Sequence, residues 1–394
     1  MGERREYGLS DLAEVVDCEH KTAPLIDESE YISIRTTDIL GGRIDFENAN
    51  RVSLETYEDW TKRAIPREGD IILAREAPVG EVGLVTKGRK VCLGQRTVLL
   101  RANSEIADAR YLLYRLADPN QKYELVSRST GSVVEHLNVK DIREFRIAIL
   151  ESISEQRAIA SVLSSLDDKI DLLHRQNKTL EALAETLFRQ WFVEEGKEDW
   201  DEISLYDCIQ IVGGGTPRTE MPSYWGGDVK WISGRDITPN HRQFIIETEK
   251  SITDTGVENS SAKVIPEFST VISARGTVGK YCLLGREMAF SQTNYGILPK
   301  FPHCYFFTYL LMAHSVGELQ AAAYGSVFDT ITTNTFKEHK VNVPPESEVM
   351  GFEEKVSAYF KKMLSNSQQI RALARMRDTL LPKLMSGEVR VNQL

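Results

Sequence analysis

The residues of this chain whose types and spacing could do chemistry fall short of a catalytic set. Gly213-Gly214-Gly215-Thr216-Pro217 is glycine-rich enough to meet a phosphate, but no Lys-Ser/Thr pair follows and Pro217 would interrupt a phosphate cradle, so the run reads as a flexible turn. Asn342-Val343-Pro344-Pro345-Glu346 has something of a base-methylation motif, yet its spacing is wrong and it lacks the aromatic that would stack on a base. The histidines are few and have no evident Ser or Cys partner for nucleophilic catalysis. Cys18-Glu19-His20 offers a thiol and an imidazole close together. Five cysteines without a C-x-x-C pair, and without histidines at zinc spacing, argue instead for reduced thiols and ordinary loop side chains. What does recur is a pattern. The run IPREGDIILAREAPVG from Ile65 returns as IPEFSTVISARGTVG from Ile265, Gln95 is echoed by Gln292, and Gly131-Ser132-Val133 by Gly325-Ser326-Val327.

A period near 200 residues is far longer than the ~20–50 of a solenoid repeat, so the chain is a duplicated two-part unit. At 394 residues it also exceeds what one core supports. The expected division is a globular domain over 1–150, a helix over 151–200, a second globular domain over 201–345 and a second helix over 346–394. Short apolar runs punctuated by Gly and Pro predict strands at Asp70–Ala74, Val82–Val85 and Val98–Leu100, and at Thr270–Ala274 and Tyr281–Leu284 in the second copy. Helices are expected around Arg110–Val126 and Tyr305–Ala323. Asn138, and Thr332 or Thr333, read as N-caps of short helices whose first turns could meet a phosphate.

The long helices give the clearest signal. Ile159, Leu163, Leu166, Ile170, Leu173, Asn177, Leu180, Ala184, Leu187 and Trp191 follow one another in steps of four and three, a heptad seam. Phe352, Val356, Tyr359, Met363, Asn366, Ile370, Leu373, Arg377, Leu380 and Leu384 repeat it at a constant offset of 193, and Arg377 is expected to snorkel its stem. The first helical segment is net acidic and the second net basic, which favours packing of one on the other. A two-fold exchanging the seams brings Asn177 and Asn366 to one central layer if the helices are antiparallel. Paired amides then fix register, because an amide facing an apolar partner loses its hydrogen bond.

Net charge is −10, which weighs against a nonspecific coat over nucleic acid but leaves room for a local basic footprint. The N-terminus has no apolar core and no stretch approaches ~18 uninterrupted apolar residues, so a cytoplasmic location is expected.

These motifs carry a resemblance over the whole chain. Ser154-Glu155-Gln156-Arg157-Ala158-Ile159-Ala160, the run from Asn177 to Phe192 with its N-x-x-L-x-x-L-x-x-x-L-F-x-x-W-F pattern, and Leu380-Leu381-Pro382-Lys383-Leu384-Met385-Ser386-Gly387-Glu388 resemble the specificity subunit of type I restriction-modification systems. Gly214–Pro217 and Trp231-Ile232-Ser233 with Asp236-Ile237 are similar to its second-domain opening. Glu346-Ser347-Glu348-Val349 departs from the S-E-Q pattern, and the first domain opens without Gly-Gly-Thr-Pro. The resemblance implies an α/β (α+β) fold of two similar target-recognition domains related by a pseudo-two-fold and separated by an antiparallel coiled coil. It implies a non-catalytic reader of double-stranded DNA with a bipartite, asymmetric site, whose half-sites about one turn, ~10 bp, apart share one face. Two methyltransferase subunits would dock on the helices and restriction/motor subunits would join them. S-adenosylmethionine, ATP and Mg are expected on those partners and no cofactor on this chain.

For a DNA reader, base edges call for Arg, Lys, Asn, Gln, Ser or Thr held by rigid elements. The candidates are Arg35-Thr36-Thr37, Arg75, Gln95-Arg96-Thr97 and Ser132 in the first half. In the second they are Arg235, Arg275, Thr277, Lys280, Gln292-Thr293-Asn294-Tyr295 and Ser326. Lys140 and Lys337, near presumed helix starts, fit phosphate better than bases. Two rival readings stand beside this one: a scaffold that grips protein partners without reading DNA, and a methyltransferase in its own right.

Overall fold

In the computed structural model, which describes residues 3–129, 135–196, 200–324 and 329–391, the chain divides into two compact units. One comprises residues 1–169 with 373–394, the other residues 170–372. Each is α+β, and each takes a share of both long helices.

The first unit holds a four-stranded antiparallel sheet in the order Ala13–Asp17, Thr97–Ala102, Ile71–Ala74, Val82–Leu84. Beside it Asn50–Arg51, Tyr31–Ile34 and Lys90–Leu93 form a second sheet, the last two strands parallel. Ile71, Ile72, Leu73 and Ala74 are all buried because alternate side chains enter different cores. Ile71 and Leu73 join one cluster with Val98 and Leu100, while Ile72 and Ala74 join another with Ile34 and Leu93.

The second unit repeats that strand order with Ile209–Gly213, Asn294–Pro299, Thr270–Ser273 and Tyr281–Leu284, and adds Phe244–Ile245 at the edge. A further sheet runs Lys250–Ile252, Trp225–Ile232, Met288–Phe290, Val264–Ile265.

One expected helix is broken. Arg110–Val126 is two helices, Ala109–Ala117 and Pro119–Val126, because Pro119 has no N–H and biases Asp118 out of the helical region. Asp118 then caps the second piece, accepting from Asn120 N at 3.1 Å and Gln121 N at 3.2 Å. Asn138 stands at an N-cap position but does not cap: its Nδ2 donates to Asp141 Oδ2 at 2.9 Å. Thr332 does cap, accepting from Thr335 N at 3.4 Å.

The long helices span Ile153–Arg189, continued by a π-helical turn at Gln190–Glu194, and Glu346–Ser386. Every seam position in both is buried or half-buried. In the first unit Ile159 and Leu163 pack with Leu381, Leu384 and Met385. In the second, Ala184 and Phe188 pack with Phe352, Val356 and Phe360. Early residues of one helix thus meet late residues of the other, so within each unit the pair is antiparallel. Asn366 Nδ2 donates to Asn177 Oδ1 at 2.9 Å, and Asn177 Nδ2 to Ser367 Oγ at 3.2 Å. Arg377 does not snorkel to solvent: its Nη1 lies 2.8 Å from Asp167 Oδ1, a carboxylate that Arg43 also holds at 3.0 Å.

Each long helix is fastened to its domain by one buried polar side chain. In the first unit Gln156 Oε1 accepts from Asp108 N at 2.8 Å, at the cap of helix Ala109–Ala117, while its Nε2 donates to Leu150 O at 2.7 Å. At the matching place in the second helix the amide is missing, and Glu353 one turn later does the fastening. Its carboxylate accepts from Phe306 N at 3.1 Å and Phe307 N at 2.8 Å, the orphan donors opening helix Tyr305–Tyr324. Burial pushes the Glu353 carboxyl up to about 7, against the pull of those backbone donors. Among the described residues no helix is long and apolar enough to cross a membrane.

Candidate nucleic-acid interface

Most of the recognition residues expected in the first half converge where strands Ala13–Asp17, Tyr31–Ile34 and Ile71–Ala74 end and Thr97–Ala102 begins. Arg75 N donates to Arg96 O at 2.9 Å and Leu137 N to Arg75 O at 2.9 Å. Thr36 Oγ1 donates to Ala77 O at 3.0 Å, and Thr22 Oγ1 reaches Gln95 Oε1 at 3.4 Å. The second unit reproduces this frame: Ala274 N donates to Thr293 O at 2.9 Å, Ile331 N to Ala274 O at 3.1 Å, and Thr238 Oγ1 to Thr277 Oγ1 at 3.3 Å.

The frame also corrects the alignment of the two copies. Ala74 N to Glu81 O in the first is matched by Ser273 N to Lys280 O in the second, because the second copy of the repeated run is one residue shorter. Ala274 is therefore the counterpart of Arg75, and Arg275 the counterpart of Glu76.

Charge is handled differently in the two loop clusters. In the first, Arg35 is clasped by Asp38, with Nε at 3.1 Å from Oδ2 and Nη2 at 2.6 Å from Oδ1. The Asp38 hydrogen bond raises the Arg35 guanidinium above its usual value. Arg75 is mostly buried, 3.6 Å from Asp17 Oδ1, and Arg96 Nε lies 2.9 Å from Glu76 Oε2. In the second, Arg235 and Arg275 are exposed and Lys280 half-exposed, and none of them has an ion pair with the described residues. The His241 ring is pushed down by burial and then by the charge of Lys280, and its Nδ1 lies 3.3 Å from both the N and the O of Tyr281.

Other expected residues are placed as follows. Thr36 and Thr97 are buried with their hydroxyls spent inside the loops, Thr97 on Gly94 O at 2.8 Å. Asn294 is buried too, its Nδ2 on Ser291 Oγ at 3.0 Å. In this conformation these three shape the loops and offer no surface to a ligand. Thr277 and Gln292 are exposed, and Tyr295 is half-buried, edge-on to Phe336 at 6.0 Å. Lys140 is exposed on helix Val139–Arg143, 3.9 Å from Glu144. Lys337 is not at a helix start: it lies in the last turn of Thr333–Glu338, 5.0 Å over the Tyr206 ring. Ser132 and Ser326 lie outside the described residues.

Sequence reasoning missed the acids. Asp38 and Asp236 occupy matching turns, Asp236 Oδ2 accepting from Ser233 N at 2.8 Å as Asp38 Oδ2 accepts from Arg35 N at 2.8 Å. Their i, i+3 spacing from Arg35 and Ser233 was a readable capping signal. Asp17, Cys18 and His20 bring possible ligand atoms within 4.8 Å of one another. The imidazole faces Asp17 Oδ2 with Nε2 at 2.8 Å and Cys18 Sγ with Nδ1 at 4.0 Å.

The family described as the type I restriction modification DNA specificity domain matches residues 4–182 and 197–372, which is most of the chain. This chain belongs to that specificity family. It is therefore a targeting subunit and not a catalytic one. The specificity subunit of type I restriction enzyme HindI from Haemophilus influenzae is 22% identical over 471 residues, covering 99% of this chain and 100% of that one. The MjaIX specificity subunit of Methanocaldococcus jannaschii is 23% identical over 364 residues, 87% of this chain and 82% of that protein. The crystal structure of a type I system S subunit from M. genitalium covers 97% of this chain and 96% of its own with a TM-score of 0.61 at 16% identity, a likeness of fold.

Proposed function

We propose that this specificity subunit reads a split, asymmetric sequence in double-stranded DNA, one half-site per unit, and carries two methyltransferase subunits and, through them, restriction/motor subunits. The observation that carries the reading is the duplicated loop frame: Arg75 N on Arg96 O and Leu137 N on Arg75 O in one unit are matched by Ala274 N on Thr293 O and Ile331 N on Ala274 O in the other, with Gln95 next to Arg96 in the first and Arg275 and Gln292 next to Ala274 and Thr293 in the second. A rigid frame with variable polar side chains is what base readout requires. Two copies with unequal side chains favour an asymmetric site. S-adenosylmethionine, ATP and Mg belong to the partners in this reading, and the complex works in the cytoplasm. The long helices act as a spacer, with the Asn177–Asn366 pair fixing their register.

The test is to assemble the chain with its methyltransferase partner and sequence the methylated sites. Methylation at a two-part motif supports the reading; methylation without sequence preference, or turnover by the isolated chain, ends it. Adding one helical turn to each long helix is expected to change the tolerated gap between half-sites and leave the bases read unchanged.

A further inference from the structure

At one position of the shared frame the two units carry opposite charge. Arg275 in the second unit is exposed and unpaired among the described residues, while its counterpart Glu76 is largely covered and holds Arg96 Nε at 2.9 Å. Arg96 is the most exposed arginine of its cluster, at 54%, against 45% for Arg35 and 13% for Arg75. Its backbone is also left-handed, with φ of 72°, in a turn pinned by Arg75 N on its carbonyl and by Thr97 Oγ1 on Gly94 O. Its counterpart Thr293 holds the same carbonyl bond without a positive φ. A bulky residue kept in that region signals a constraint that the surroundings impose, and such positions gather at binding sites.

From these observations we infer that Glu76 and Arg96 form the specificity-determining pair of the first unit, taking one G·C base pair in the major groove. The inference rests on the DNA-reading proposal. Guanine offers two acceptors to a guanidinium, and cytosine offers an amino donor to a carboxylate. Glu76 has a second task. With its carboxylate in place Arg96 is neutralised and cannot be drawn to any phosphate that passes, so the first unit engages only where a base edge replaces the carboxylate's hydrogen bond. Attraction that every sequence shares is suppressed, and discrimination grows from the penalty on wrong sites.

The experiment uses the chain assembled with its methyltransferase partner, and measures binding and methylation over a library of sites varied in both halves, at several salt concentrations. Arg96→Ala is expected to remove a G·C requirement at one position of one half-site, with about ten- to a hundredfold loss of discrimination there. Glu76→Gln is expected to keep the preference for guanine but raise binding to mismatched DNA, steepening the dependence of log K on log salt by roughly 0.9, the slope that one more neutralised phosphate adds. Glu76→Asp, which opens the pair by one methylene, should move the same way, and melting curves of both variants separate a binding effect from a loss of fold. The pair is overturned if folded Glu76 variants leave mismatched binding and the salt slope unchanged, or if Arg96→Ala weakens all sequences equally. If those variants are silent while Arg275→Ala relaxes the other half-site, the pair alone fails. If the wild-type complex has no sequence preference, the reading beneath it fails instead.

Discussion

Where the second unit exposes Arg275, the first carries Glu76, and the contrast extends to the loop cluster: Arg35, Arg75 and Arg96 each face a carboxylate, whereas Arg235 and Arg275 are exposed, Lys280 is half-exposed, and none of the three has an ion pair among the described residues. The backbone hydrogen bonds beneath are the same in both. A common frame thus sets where side chains emerge, and the side chains alone decide how strongly each unit attracts a polyanion. An overall charge of −10 conceals this difference between the two loop clusters.

The sharpest way to break the comparison is Arg275→Ala. It is expected to relax discrimination in one half-site by roughly 1–3 kcal/mol and leave the other unchanged, read from methylation of single-base site variants. An equal loss on every sequence would move Arg275 from bases to the phosphate backbone. Arg75→Ala tests the opposite character of the first cluster. Because Arg75 is mostly buried against Asp17, its removal should lower stability by about 1–2 kcal/mol, seen in denaturant unfolding. A variant of unchanged stability that binds DNA poorly would show that Arg75 is a free reader after all. The last test concerns the two helix fastenings, where the effect appears only as a dependence on pH. Glu353 has a folded value raised to about 7 from an ordinary 4.5, so the stability tied to its protonated form is present below pH 4.5 and is lost as pH rises through 7. Glu353→Gln should flatten the pH dependence of the unfolding free energy between pH 5 and 8, by roughly 2–3 kcal/mol at most. Gln156, an amide, predicts no matching slope in the first unit, and an unchanged slope in the variant would remove Glu353 as its source.

Much of the fold was legible because it is written locally. The four-three seams, the strands at Ile71–Ala74 and Tyr281–Leu284, and the central asparagines follow from side-chain periodicity within a contiguous stretch. The break at Pro119 is also in the sequence, a single proline inside a run whose apolar spacing reads as one helix. The candidate interface was legible only as a neighbourhood. Whether Arg75 is free depends on Asp17, fifty-eight positions earlier, and whether Thr97 and Asn294 are free depends on how their turns close. The repeat misled as well. Matching Ile65 to Ile265 sets Arg75 beside Arg275, and only the hydrogen-bond ladder shows the one-residue slip that puts Glu76 there.

The first unit is closed by the far end of the chain: Leu381, Leu384 and Met385 are buried in the same core as Leu9, Tyr111 and Leu163. During synthesis that core stays short of three of its apolar members until residue 385 has left the ribosome, by which time residues 170–372 have all emerged. The usual N-terminal-first order of assembly is then reversed, and the second unit can mature while the first still waits for its closing segment. A premature stop after residue 372 would therefore damage the half of the molecule that was translated first.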